Sequence, residues 1–481
     1  MTQHAKARTL FDIKALFTVL GLSLLSIWPV FLHQGVPYQL TDSFVYVDQG
    51  ERIISTVKNI ATGFFDRAFS PGGTTDQTTG AAPSQSSLQA ASADADGVRS
   101  LPYAAFVGLL APVGLVALVW IQTCLVMLFV YALFLQVLPK AKVLPLVATA
   151  LVMLTLTSLP FVSALVLPDA FGAIIVLYGI LLVYGFETFD LKSQVLLTIV
   201  MLFAIFTHYG NIPLAFVVIL AALFLRFKGT RWFRRTLVLA GGAIAISLAG
   251  NLAVGHFVFD EISLTPRRLP ILLARSMEDG PALWHLEEHC DERGYAVCTW
   301  FGDDIPNNVG DALWNERGME HAPSDLYKDI RDQELSILWA AFREYPVEQV
   351  QSLTGNMVLQ LTRVGIRYAN PQTTVIDHRG RRRGVTAPYN PLASHKNDIG
   401  RVQAIGVFIA FVALCVFAFG PRSSTVERRA IFILLLALLT NAAIFGGLSA
   451  HVDRYQSRIA WLVPLLALAL LLKRLDKMNA P

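Results

Sequence analysis

The sequence predicts an all-α polytopic membrane protein with about ten transmembrane helices and a mainly helical periplasmic domain between spans seven and eight. Composition is the first observation: 54% of the 481 residues are hydrophobic and 15% are charged, whereas soluble domains are about a quarter charged. The second observation is that the apolar residues form runs long enough to cross a bilayer, which takes about 20 residues. Together they exclude a soluble enzyme, a nucleic-acid binder and a disulfide scaffold.

The ten predicted spans are apolar segments bounded by charged or turn-forming residues. Leu101–Pro139 carries no charge and is too long for one span, and Ala-Pro-Val-Gly at 111–114 offers a break. We therefore expect Leu101–Leu110 to be a helix lying along the interface. The ten segments are Phe11–Leu32, Gly114–Leu138, Val143–Leu159, Ala170–Tyr184, Gln194–Thr207, Ile212–Leu225, Thr236–Val254, Val402–Phe419, Ile431–Leu448 and Ala460–Leu472.

Lysine and arginine placement predicts the orientation. Basic residues precede the first span, follow each even-numbered span and close the chain, so all of them fall on one side if there are ten spans. That side is the cytoplasm by the positive-inside rule, which puts both termini there and makes this a multi-pass protein of the cell inner membrane. The first apolar run lacks a small-residue cleavage site, so we expect an anchor and not a removed signal peptide.

This topology divides the chain into three parts. Residues 1–255 hold spans one to seven and the first periplasmic loop, 33–100, in which a Ser/Thr/Gly/Ala/Gln-rich stretch at about 70–97 is typical of a flexible insertion. Residues 256–400 form the periplasmic domain, whose apolar residues recur at helical spacing in 347–364. Residues 401–481 hold the last three spans.

Two of the four cysteines, Cys290 and Cys298, lie in the predicted periplasmic domain. Their short spacing on an oxidising face predicts a local disulfide, and two reduced buried cysteines are the alternative. A cysteine-based zinc site is disfavoured because a second ligand pair at suitable spacing is missing. The sequence analysis predicts no metal site elsewhere.

Polar residues beside membrane spans are functional candidates because they are costly to place there. Asp42 follows the first span, and Tyr46 lies four residues further on, on the same face if the segment is helical. Asp42 is either a catalytic carboxylate or the cap of a surface helix. Asp169 precedes the fourth span, and its alternative is also helix capping. His208 lies in the turn between spans five and six and either contacts a ligand or only shapes that turn.

Arginines on the outer side run against the positive-inside trend and therefore call for an anionic partner. Arg99 and Tyr103 lie at the entry to the interfacial helix, and His451, Arg454 and Arg458 lie before the tenth span at the spacing of one helical face. Guanidinium groups suit phosphate because they donate two parallel hydrogen bonds. The alternative partners are Asp453 or glutamates of the outer domain.

This combination resembles the GT-C superfamily of membrane glycosyltransferases: many spans, an aspartate in the first outer loop within Asp42-Ser43-Phe44-Val45-Tyr46, interfacial helices before the second span, and a soluble outer domain. Those enzymes transfer a sugar from a polyprenyl-phosphate or polyprenyl-diphosphate carrier to an acceptor on the outer face. Two features depart from the family pattern: Asp42 is followed by Ser43 and not by a second acid, and the outer domain lies between spans seven and eight.

The resemblance implies that Asp42 is a general base or a metal contact and that Asp169 approaches the acceptor or a metal. The implied partners are a lipid-linked sugar donor, an acceptor that is a glycan, a lipid or a protein, and the surrounding membrane lipids. A nucleic acid is not among them. The resemblance implies no specific cofactor, and a divalent cation is compatible with it. The implied substrate-binding residues are Tyr46, Arg99, Tyr103, Asp169, His208, His451, Arg454 and Arg458. The competing hypotheses are a lipid or glycan transporter and a non-catalytic envelope-assembly protein.

Overall fold

The computed structural model describes residues 8–69, 99–138, 143–226, 231–369, 374–376, 382–384, 392 and 394–478. Within these ranges the chain is helical, apart from one antiparallel pair of three-residue strands, β1 (Thr374–Ile376) and β2 (Arg382–Gly384). The flexible insertion predicted at about 70–97 lies outside the described residues.

The helices before the outer domain follow the predicted spans, with two of these divided. They are α1 (Ile13–Ser26), α2 (Trp28–Leu32), α3 (Thr41–Phe69), α4 (Leu101–Leu110), α5 (Leu115–Val137), α6 (Val143–Leu156), α7 (Leu159–Ser163), α8 (Gly172–Gly185), α9 (Leu191–Phe206), α10 (Asn211–Arg226) and α11 (Arg231–Phe259). Short 3₁₀ turns at Pro168–Phe171 and Phe186–Thr188 flank α8.

Six helices lie between α11 and the strands, and four follow the strands. The first group is α12 (Ile271–Asp279), α13 (Pro281–Arg293), α14 (Ala296–Phe301), α15 (Val309–Trp314), α16 (Ser324–Glu344) and α17 (Pro346–Thr362). The second group is α18 (Lys396–Phe419), α19 (Thr425–Ala442), α20 (Asp453–Ala460) and α21 (Leu462–Met478). A π-helical turn, Ala443–Gly447, continues α19.

Five helices in the described part of the chain are long and apolar enough to cross a membrane. They are Leu115–Val137, Pro168–Thr188, Arg234–Phe259, Lys396–Phe419 and Thr425–Gly447. Five shorter apolar helices accompany them, at Ile13–Ser26, Leu101–Leu110, Val147–Leu156, Leu191–Phe206 and Asn211–Arg226. The architecture is therefore that of a helical protein with five candidate membrane spans, while the count of ten, the periplasmic placement and the inner membrane stay predictions.

Two predicted spans are divided where prolines occur. Phe11–Leu32 becomes α1 and α2, with Pro29 in the first turn of α2. Val143–Leu159 becomes α6 and α7, with Pro160 in the first turn of α7. Proline lacks the N–H that would bond back to the preceding turn, and its ring disfavours helical geometry before it. Each division therefore has a local cause.

Helix α8 is the centre of the membrane bundle. All but one of its residues are buried, and it packs against α5, α9, α10 and α19. A helix that is apolar on every side is typical of a protein core or a membrane span. Asp169 lies just before its first turn and Glu187 just after its last, and the 14-residue helix between them is about 21 Å long at 1.5 Å per residue. The helix thus separates two polar ends of the bundle.

Three basic residues lie at the Glu187 end of α8, and two of them come from near the two ends of the described chain. Arg226 forms an ion pair with Glu187, and the Arg8 backbone N–H donates to the Thr188 carbonyl at 3.0 Å. Near the C-terminus, the Lys473 ammonium lies 5.6 Å from the centre of the Tyr184 ring. These contacts put the two ends of the described chain on the same side of α8.

The segment between α11 and α17 has its own apolar core, formed by residues between Leu269 and Ala341. Helix α17 then lies against the π-helical turn, where a Cβ added to Gly446 would come 2.7 Å from the Asn356 carbonyl oxygen. Gln360 of α17 also donates to the Val452 carbonyl at 3.0 Å. Helices α12–α17, which the sequence predicts to lie outside the membrane, are called the outer helices. They are therefore joined closely to the end of the bundle that holds Asp169.

Helices α3 and α4 pack backbone to backbone through two glycines. A Cβ built on Gly50 would lie 2.6 Å from the Gly108 nitrogen and 2.8 Å from the Gly108 Cα. Side chains at either position would force the helices apart. This contact sets the spacing between Asp42 at the start of α3 and Arg99 before α4.

We expect Gly50→Ala to lower the thermal unfolding midpoint of the detergent-purified protein, because overpacking costs about 1–3 kcal/mol. Gly241→Ala is the matched control, since its Cβ meets no described atom within 4 Å. In a helix, alanine is favoured over glycine by about 1 kcal/mol, so the control should be as stable as wild type or more so. Equal midpoints for the two variants would contradict the close contact.

Candidate functional site

A charged cluster forms where several helix ends meet at the Asp169 end of α8. Asp42 comes from the first turn of α3, Arg99 from the residue before Ser100 and α4, and Asp169 from the 3₁₀ turn before α8. Arg454 and Arg458 come from α20, one helical turn apart. The turn between α9 and α10 adds His208.

Two arginines that are distant in sequence share the Asp42 carboxylate. Arg99 Nη2 donates to Oδ1 at 2.6 Å, and Arg454 Nη2 donates to Oδ2 at 3.0 Å. The three side chains are 26%, 16% and 23% exposed for Arg99, Arg454 and Asp42 respectively. Asp453, which the sequence offered as an alternative partner for the arginines, instead pairs with Arg367 at 2.7 Å.

The arginines control the protonation of Asp42. Burial by itself would raise the pKa of this carboxyl, but the charges and hydrogen bonds of Arg99 and Arg454 outweigh burial and lower the pKa to about 2. Asp42 is therefore a carboxylate at neutral pH, and each of its oxygens accepts from a guanidinium.

Asp169 is the second carboxylate of the cluster and is differently placed. It is 3% exposed, and its Oδ1 has no hydrogen-bond partner among the described residues. Arg454, Arg458 and Asp42 all lie within electrostatic range of it. A buried carboxylate oxygen without a donor is costly, which makes this atom a candidate for contact with a bound molecule.

Arg458 is fully buried and held in one orientation. Its Nε and Nη2 donate to the Asn441 Oδ1 at 2.9 and 2.7 Å, and its guanidinium lies 4.1 Å from the centre of the Phe445 ring. Gly172 leaves room for it, because a Cβ there would be 3.1 Å from the arginine Nε. Nη1 of Arg458 and Nε of Arg99 find no acceptor in the described part of the chain.

Asn441 orients Arg458. Its Nδ2 donates to the Tyr455 carbonyl at 2.6 Å and to the Gln456 Oε1 at 2.9 Å, which leaves its carbonyl oxygen for the guanidinium. The sequence analysis missed this residue. A polar side chain inside the predicted ninth span is a signal that could have found it.

His208 lies in the turn between α9 and α10. The Gly210 backbone N–H donates to its Nδ1 at 3.0 Å, and its ring is 5.4 Å from the Phe445 ring. Burial, followed by the charges of Arg458 and Arg454, lowers its pKa well below the usual value. The ring is therefore neutral and carries its proton on Nε2, which makes it a hydrogen-bond donor.

Tyr46 and Tyr103 form an aromatic wall behind Asp42. Both are buried, and their rings meet edge to face with centres 4.8 Å apart. The Tyr103 hydroxyl donates to the Gln122 Oε1 at 3.2 Å, so it is satisfied internally. Tyr46 lies one turn after Asp42 on α3, as its spacing predicted.

His451 does not share the helical face of Arg454 and Arg458, and the sequence-based prediction was wrong on this point. Helix α20 begins at Asp453, and Val452 is extended, with φ −120° and ψ 150°. His451 instead lies within electrostatic range of charged residues of the outer helices, Arg275 and Asp279 among them. Asp453, the first residue of α20, accepts hydrogen bonds from the Arg367 guanidinium.

The five charged residues of the cluster do not balance. Three arginines (Arg99, Arg454 and Arg458) face two aspartates (Asp42 and Asp169), so their sum is +1 with both acids ionised. Protonation of Asp169 would make the sum more positive, and His208 adds no charge. The cluster therefore favours an anion.

An apolar cavity of 420 Å³ lies between α9, α10 and α11. Its lining includes Ile205, Phe216, Ile244 and Leu248, together with Tyr209. Tyr209 is the neighbour of His208 and lies within electrostatic range of Arg99. Tyr209 therefore connects the cavity to the region of the charged cluster.

The predicted cysteine pair lies away from this cluster. Cys290 and Cys298 form a disulfide that links α13 to α14, with Cα atoms 5.7 Å apart. At the Asp42 cluster, the described residues do not bring three metal-ligating side chains together. Known proteins add no assignment: no protein family, curated protein or solved structure matches this chain.

The pKa of Asp42 leads to a test by pH. A carboxyl whose folded pKa lies below its unfolded value of about 3.9 stabilises the fold above that pH and loses the contribution as the pH falls toward 2. We expect Asp42→Asn to be less stable than wild type by about 2 kcal/mol at pH 7. The difference should shrink between pH 4 and pH 2.

Denaturant unfolding of both proteins in detergent across that range measures this difference. If the stability difference between the two proteins stays constant down to pH 2, the arginines do not lower the pKa of Asp42 as described.

Proposed function

We propose that this protein is a glycosyltransferase that moves a sugar from a polyprenyl-phosphate-type lipid carrier to an envelope acceptor on the periplasmic face. The observation that carries the proposal is the excess positive charge of the cluster, combined with nitrogens on Arg458 and Arg99 that have no acceptor among the described residues. A phosphate would accept from both nitrogens and would neutralise that charge.

The apolar cavity supports a lipid-linked donor. A phosphate ester of a soluble sugar would need no apolar cavity, whereas a polyprenyl chain must be kept out of water. The cavity of 420 Å³ is lined by apolar residues of α9, α10 and α11 and by Tyr209, which follows His208 in the sequence. The carrier phosphate would lie at the arginines and the chain would lie in the cavity or in the surrounding lipid.

Basic residues at the opposite end of α8 support the outward location. Arg8, Arg226 and Lys473 belong to the Glu187 end, and the positive-inside rule favours that end as cytoplasmic. The cluster would then open to the periplasm, with both termini in the cytoplasm of a cell with an inner membrane.

The transfer would be a direct displacement. The acceptor oxygen forms a bond to the anomeric carbon of the sugar while the bond from that carbon to the phosphate oxygen breaks. The electron pair leaves with the phosphate, and arginine donors stabilise the charge that develops there. The proton of the acceptor hydroxyl passes to a carboxylate of the protein.

Asp169 is the better choice for that carboxylate. The interpretation from sequence gave the role to Asp42, but both Asp42 oxygens accept from arginines and its pKa of about 2 makes it a weak base. Asp169 has an oxygen without a partner. In this proposal Asp42 positions Arg99 and Arg454 for the phosphate, and Asp169 receives the proton.

Purified protein incubated with a panel of labelled polyprenyl-phosphate sugars and a membrane extract as acceptor tests the proposal. We expect Asp169→Asn to reduce product formation by about 100-fold or more, because general-base catalysis contributes 10²–10⁴ in rate. Asp42→Asn should weaken donor binding, which is measured as a higher KM for the labelled carrier.

Glu187→Gln is the matched control, because Glu187 pairs with Arg226 at comparable exposure but at the other end of α8. It should retain wild-type transfer. Wild-type protein that forms no product from any donor, or an Asp169→Asn variant with full activity, would count against the enzyme or against this base, respectively.

A further inference from the structure

A second polar cluster lies in the outer helices, away from Asp42. His285 and His289 are one turn apart on α13, so both rings point from the same face, with centres 4.8 Å apart. Glu344, the last residue of α16, meets them. One ligand atom from each of the three side chains lies within 4.8 Å of the others.

The carboxylate of Glu344 faces both rings. His285 Nδ1 lies 2.6 Å from Oε2, and His289 Nε2 lies 3.3 Å from Oε1. In a tetrahedral zinc site with bonds of about 2.0–2.1 Å, neighbouring ligand atoms are about 3.3 Å apart. The three side chains therefore need only small rotations to surround an ion.

The second ring nitrogen of His285 has a hydrogen-bond partner outside the three proposed ligands. Its Nε2 shares a hydrogen bond of 3.1 Å with the Tyr295 hydroxyl. Tyr295 lies inside the loop closed by the disulfide between Cys290 and Cys298, just after Gly294 in the left-handed conformation, with φ 61°. When Nε2–H donates to the Tyr295 hydroxyl oxygen, Nδ1 keeps its lone pair for a metal, which is the common arrangement at zinc histidines.

We propose that His285, His289 and Glu344 bind one divalent transition-metal ion of the zinc type. Two imidazoles and one carboxylate suit Zn²⁺ and its neighbours, whereas Ca²⁺ and Mg²⁺ prefer oxygen ligands alone. Three protein ligands leave a fourth position open. The ion would link α13 to the end of α16, directly before the turn into α17, and this inference does not depend on the proposed glycosyltransferase activity.

The sequence carried a signal for this site that the sequence analysis did not use. His-Leu-Glu-Glu-His at 285–289 has the one-turn spacing typical of two zinc ligands on a helix. The third ligand comes from 55 residues further along the chain, where α16 packs beside α13. Only the fold brings it there.

Zinc titration of the untagged, full-length protein in detergent, after removal of metal with a chelator, tests the proposal. We expect one equivalent of Zn²⁺ by calorimetry, an equal content by elemental analysis, and a higher unfolding midpoint with zinc present. His289→Gln should abolish this equivalent. His321→Gln, which changes an exposed histidine of the same outer helices, should retain it.

A second variant, Tyr295→Phe, distinguishes a weakened zinc site from a misfolded protein, because it removes one hydroxyl and keeps the ring. It should weaken zinc binding by about 10–100-fold, as outer-shell changes do, while the disulfide and the helical circular dichroism stay as in wild type. The proposal is overturned if wild type binds no zinc, or if His289→Gln binds as tightly as wild type. The cluster would then be a set of histidine–glutamate hydrogen bonds between two helices.

Discussion

The pairing of Asp42 with Arg99 and Arg454 is the interaction on which this end of the molecule depends. It joins the first outer segment to the residue before α4 and to α20 near the end of the chain. Partly buried charges are stable only when paired, and removal of one partner leaves the others uncompensated. The cluster therefore requires that distant parts of the chain assemble together, and the close packing of Gly50 on Gly108 sets the position of one arginine.

Simple rules of membrane sequences predicted the helical fold and most of the cluster. Apolar runs indicated the helices, and arginines outside the cytoplasmic side indicated Arg99, Arg454 and Arg458 as partners of an anion. The rules could not tell which atoms stay unpaired, because that depends on contacts such as Asn441 with Arg458. They also misplaced His451, because α20 begins only at Asp453 and Val452 before it is extended.

The π-helical turn Ala443–Gly447 links the outer helices to the cluster. It carries Phe445, whose ring lies between His208 and the Arg458 guanidinium, and its Gly446 is pressed against α17. Such turns occur often at functional sites because they interrupt a helix without ending it. The turn therefore connects α17 to the surroundings of the Arg458 guanidinium.

The two aspartates have opposite environments, which separates their roles. Asp42 is held between two arginines and keeps its charge at any pH near neutrality, so it organises positive groups and takes up no proton. Asp169 lies beside the same arginines, and its Oδ1 has no donor among the described residues. Two carboxylates with such different partners suit the proposed displacement at the anomeric carbon: Asp42 holds the arginines that would stabilise the leaving phosphate, and Asp169 would receive the acceptor proton.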